Sequence, residues 1–61
     1  MENNSCFVVT GNNDKALCEL LFANKGTLPK YNSHKEAVND LEFWTNEVGI
    51  SDLSVAMIIL L

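Results

Sequence analysis

The sequence predicts a small α+β domain: a short antiparallel sheet packed by one helix. Three stretches lead there. Residues 32–49 carry helix start and stop signals at their two ends. The stretches near residues 5–10 and 53–60 are short, apolar and rich in β-branched side chains, with turn residues beside them. At 61 residues the chain makes a single domain, residues 1–61. A domain of this size buries only roughly 60% of its unfolded surface, so its core is thin.

In chain order, residues 1–4 are polar and are expected to be disordered. Cys6-Phe7-Val8-Val9-Thr10 reads as a strand, closed by the turn residues Gly11-Asn12-Asn13-Asp14.

Residues 15–31 admit two readings. As a helix, the stretch has good propensity, apolar Leu17, Leu20 and Leu21, a cap at Asn13 or Asp14 and a stop at Gly26. As a strand, it places Ala16, Cys18, Leu20 and Phe22 on one face. Asn24-Lys25-Gly26 then becomes a hairpin loop, and residues 27–31 return as a short edge strand that suits Pro29. Propensity favours the helix. Topology favours the strand, because a helix here leaves only two strands, and a two-stranded sheet is marginal. The expected order is therefore a hairpin or meander over residues 5–31, a helix over 34–48 and a strand over 53–60. The alternative is a βααβ order with a second helix at 14–24.

The helix over 34–48 is the best-marked element. Ser33 is a good N-cap and Glu36 stands at its N3 position, the pattern of a capping box. Gly49 suits a left-handed C′ position, after which Ile50 can fold back onto Trp44 or its neighbours. On a helical wheel centred on Leu41, Ala37, Val38, Trp44 and Val48 fall within about 60° and form the buried stripe, with His34 and Thr45 in the same arc. Phe43 lies about 200° away, among Glu36, Asp40 and Glu47. An aromatic on an acidic outer face is a candidate anchor for a protein partner, since aromatics dominate interface hot spots.

The last strand is apolar on both faces towards its end, with Val55, Met57 and Ile59 on one side and Ala56, Ile58 and Leu60 on the other. One helix covers one face of a sheet, so the other needs a second layer. If 15–24 is a strand, the simplest cover is a second copy of the chain, as a homodimer paired sheet face to sheet face or edge to edge, with Ala56, Ile58 and Leu60 as the self-association residues. If 15–24 is a helix, that helix is itself the second layer and the case for a dimer weakens.

Composition narrows the function. Eight Asp/Glu against four Lys/Arg give a net charge of −4. All four basic residues are lysines, scattered at 15, 25, 30 and 35. Direct nucleic-acid binding needs clustered Lys/Arg, and bidentate phosphate recognition favours arginine. The apolar run from 55 to 61 is far short of the ~20 residues that span a bilayer. With no basic, apolar leader at Met1 to Ser5, the expected compartment is the cytoplasm.

Cys6, Cys18 and His34 have no metal-ligand spacing, and both thiols are expected to be buried and unpaired. No cofactor motif or catalytic constellation is expected: His34 opens a helix, and the carboxylates Glu36, Asp40 and Glu47 share a solvated face rather than a cleft. The expected function is that of a small acidic, non-enzymatic protein acting through contact with another protein, at a basic surface of it. An accessory or inhibitory factor of the kind phages and mobile elements encode fits this description. The alternative is a structural self-assembling unit with no separate partner.

Overall fold

The computed structural model describes residues 5–59. The expectations placed on residues 1–4 and on Leu60 lie outside that range. The element order is β1 (Ser5–Gly11), α1 (Asp14–Ala23), β2 (Lys30–Tyr31), α2 (His34–Phe43), a π-helical turn (Trp44–Val48) and β3 (Leu53–Ile59). The three strands form an antiparallel sheet in the order β2-β1-β3. The α+β class and the antiparallel sheet expected from the sequence are thus present, with two helices.

The preference for a strand over residues 15–24 does not hold; Asp14–Ala23 is α1, the helix of the βααβ alternative. Local chemistry decides it. The Asn13 side chain accepts a hydrogen bond from the Ala16 N–H at 2.8 Å, satisfying one of the donors that a helix start leaves open. The far end closes through Lys25 and Gly26, both at positive φ, with the Gly26 N–H donating to the Leu21 carbonyl at 2.7 Å. The sheet also escapes the two-strand objection. Lys30 and Tyr31 pair with Val8 and Phe7, and the Val9 N–H donates to the Pro29 carbonyl at 3.1 Å, so a short edge strand supplies the third member.

Val8 and Val9 are adjacent on β1 and point to opposite faces of the sheet. They are 2% and 0% exposed, so both faces of the central strand are covered. On the Val9 side, Ala16 and Leu20 of α1 and Ile50 complete one buried cluster, with Leu28, Tyr31, Leu41, Trp44 and Leu53 packed against it. The second layer that the apolar strands require is therefore present within the chain over β1. The cover ends before β3 does: Met57, Ile58 and Ile59 are 55%, 37% and 62% exposed.

α2 starts as expected, with the Ser33 hydroxyl accepting from the Glu36 N–H. The single helix expected over 34–48 instead stops being α-helical at Phe43 and finishes in a π turn. Gly49, at φ +89, ends it in the left-handed conformation, and the Ile50 N–H donates to the Trp44 carbonyl at 3.0 Å. Ala37 is fully buried as the wheel requires, but Val48 is 41% exposed. The wheel assumed 3.6 residues per turn. A π turn bonds residue i to i+5 and stacks residues five apart, which takes Val48 off the buried stripe.

Gly11 controls how closely α1 can approach β1. A Cβ built there would lie 2.3 Å from the Leu17 nitrogen and 2.7 Å from the Ala16 carbonyl carbon, both backbone atoms that cannot rotate away. Gly11→Ala is expected to lower unfolding stability by about 3 kcal/mol. Gly49→Ala, where nothing lies within 4 Å of the new Cβ, should lose only about 1 kcal/mol for its backbone conformation. Urea midpoints of the two variants measure the difference.

Candidate functional site

The acidic face nominated by the sequence divides in the structure. Glu36 and Glu47 are exposed, and Phe43 is 46% exposed with its ring edge-on to Trp44 at 5.4 Å between centroids. Asp40 is not a free surface carboxylate. It accepts a hydrogen bond from the Tyr31 hydroxyl, which in turn accepts from the Trp44 indole N–H at 3.2 Å. The chain Trp44–Tyr31–Asp40 ties the short edge strand β2 to α2. It borders a depression of about 460 Å³ shared with Asn24, Thr27 and Pro29.

Tyr31 responds electrostatically to this position. Burial disfavours its phenolate first, and the Asp40 carboxylate adds to that by accepting the O–H and by its charge. The Trp44 N–H acts in the opposite sense. The outcome is a pKa pushed up from 10.0 to about 12.

A second depression, about 410 Å³, brings Glu36 together with Cys6, Lys30, Asn32 and Ile58. One nominated partner-binding residue and one nominated self-association residue thus share a cleft. Ala56 is half-buried beside it on β3. Of the thiols expected to be buried, Cys6 is half-buried and Cys18 is exposed, because α1 turns Cys18 outward; both are free. His34 is exposed, with its ring edge-on to Phe7 at 5.7 Å. Among the described residues no group of three His, Cys, Asp or Glu side chains could hold a metal ion, and no helix is long and apolar enough to cross a membrane.

The feature the sequence reading missed is on α1. Phe22 is 92% exposed. It borders a groove of about 410 Å³ with Glu19, Ala23, Val48, Gly49 and Ile50. On the strand reading Phe22 shares one face with Ala16, Cys18 and Leu20. As a helix, two residues are about 200° apart, so burying Leu20 turns Phe22 to solvent. The same offset separates Phe43 from Leu41. The π turn adds to this surface by leaving Val48 exposed beside the groove. Phe22 and Val48 are thus exposed apolar side chains at one groove with the carboxylate Glu19, and Phe43 is a further exposed aromatic on α2.

Comparison with known proteins finds no matching family model, no matching curated protein and no matching solved structure.

Tyr31 is the only tyrosine in the chain, so phenolate absorbance reads its titration directly. In the folded protein the absorbance should rise near pH 12 rather than pH 10. The folded state holds the proton more tightly, so this contribution to stability is complete below pH 10 and is lost as pH climbs from 10 to 12. Tyr31→Phe should remove that part of the alkaline loss, measured as the difference between the two proteins' denaturation midpoints against pH. A phenolate that titrates at pH 10 in the folded protein would contradict the Asp40 contact.

Proposed function

We propose that this chain is a non-enzymatic protein-binding module that occupies, and thereby blocks, a surface of a larger protein. The observation that carries the proposal is Phe22, 92% exposed on a well-capped helix at the rim of a groove. A large aromatic held out to water loses solvation-driven stabilisation that burial in a partner would recover, about 2 kcal/mol for one such side chain. Its position on a rigid helix limits the conformational entropy lost on binding. Val48 shares the groove with Phe22 and Glu19 gives it a carboxylate; Glu47 is exposed next to Val48 in the chain.

The partner this chemistry suits presents an apolar recess bordered by lysine or arginine. The net charge of −4 assists encounter with such a surface, and the rate of encounter falls as salt screens it. The mode of action we infer is steric occupation of that surface, the inhibitory or accessory role. The sequence nominated Asp40 for this contact, but its bond to Tyr31 makes Glu47 the better acidic probe.

The test uses affinity capture from the native host, followed by calorimetric titration of the captured protein. Phe22→Asp and Val48→Asp should each weaken the complex by about tenfold or more and leave the circular dichroism unchanged, since both side chains already face solvent. Glu47→Lys should weaken it less, and chiefly at low salt. Affinities within twofold of the unaltered chain for both apolar variants would overturn the assignment of this surface.

A further inference from the structure

Of the two outer edges of the described sheet, that of β3 is the longer, seven residues against two for β2, and its hydrogen-bonding pattern determines what can extend it. The Val9 N–H donates towards β2, to Pro29. Asn12, three residues on, donates the other way, to the Asp52 carbonyl beside β3. Backbone direction alternates along a strand, so even-numbered residues of β1 face β3. The register is unbroken from Ser5↔Ile59 to Gly11↔Leu53. Cys6↔Ile58, Val8↔Ala56 and Thr10↔Ser54 are therefore the hydrogen-bonded pairs. Leu53, Val55, Met57 and Ile59 turn their N–H and C=O groups to the open edge, where no strand among the described residues meets them.

Edges of this kind are ordinarily protected by charge, proline or a bulge. Residues 53–59, Leu-Ser-Val-Ala-Met-Ile-Ile, carry no charge and no proline, and the unbroken register leaves no bulge. We propose that this edge pairs with the β3 edge of a second copy, making one continuous six-stranded antiparallel sheet.

The occupant follows from self-complementarity and charge. A two-fold register centred on Ala56 sets Leu53 against the partner's Ile59 and Val55 against the partner's Met57, and the reverse. Every outward-facing residue of the strand then meets another outward-facing residue. No shifted register achieves this within residues 53–59. The same register sets exposed Met57 and Ile59 beside the partner's Val55 and Leu53 on the Val9 side of the sheet, apolar against apolar. Two chains that each carry a net charge of −4 can approach along this strand because the strand itself contributes no carboxylate.

This pairing differs from a face-to-face dimer through Ala56, Ile58 and Leu60, and it does not depend on the Phe22 groove. Sedimentation of the intact chain at about 100 µM, a concentration that populates a micromolar dimer, should give twice the 6.8 kDa chain mass. The register has a direct reporter. In a non-hydrogen-bonded antiparallel pair the Cα atoms are about 4.5 Å apart, within disulfide range. With Cys6 and Cys18 replaced by alanine, Ala56→Cys should oxidise to a linked dimer, and Ser54→Cys, which meets the partner's Ile58 rather than itself, should not.

Met57→Pro removes only an outward N–H, which an edge position tolerates, and should weaken the dimer by about tenfold or more. Ile58→Lys should leave it dimeric, whereas a face-to-face dimer would dissociate. Phe22→Asp should leave the mass unchanged, so loss of partner binding and loss of self-association are separately readable. A wild-type monomer, equal linking of both cysteine variants, or a dimer that dissociates only with Ile58→Lys would overturn the proposal.

Discussion

The structure depends on how closely α1 lies on β1, and that approach depends on Gly11. With no Cβ at that position, the backbone of Ala16 and Leu17 comes within van der Waals distance of the strand's end. Leu20 can then reach Val9, and both are completely buried. The rest follows from this contact. It provides the second layer a thin sheet requires, and it orients α1 so that Cys18 and Phe22 face outward. It also lets Ile50 complete the cluster from the far end of the chain, which sets where β3 begins.

Much of this was legible in the sequence wherever the determinant was local. Ser33 and Gly49 mark the ends of one helical segment because capping is a matter of a few adjacent residues, and both behave accordingly. The runs at 5–10 and 53–59 are strands because β-branched and apolar side chains leave little else. Residues 15–24 are a helix although strand number favours a strand there, because a third strand needs very little: Lys30, Tyr31 and one bond to the Pro29 carbonyl suffice. Asn13, a strong cap, was the better guide.

The candidate surface was legible only in part, for geometrical reasons. Phe43 stood out because its helix was assigned correctly. Phe22 was hidden because a period of two placed it with Leu20, whereas the helical period separates them. Val48 was assigned to the core because no sequence signal marks the change from α to π spacing after Phe43. Asp40 was grouped with the surface acids because its partner, Tyr31, lies on another element, and only the folded chain brings the phenol to the carboxylate.

The two proposed surfaces lie on different elements, and their relation has a consequence for affinity. The groove is built from the end of α1 and the π turn; the open edge belongs to β3. The two surfaces share no residue. If the edges pair, each assembly carries two copies of the Phe22 surface on a rigid sheet. A partner that is itself dimeric, or that offers two sites at matching separation, then binds the second copy as an intramolecular event. The gain can reach 10²–10⁴-fold without any new contact. A single groove of this size, with one dominant aromatic, is a modest binding site. On the two proposals together, duplication on a common sheet would raise the avidity of a modest site, and the unprotected edge of β3 and the exposed ring of Phe22 would then act in concert.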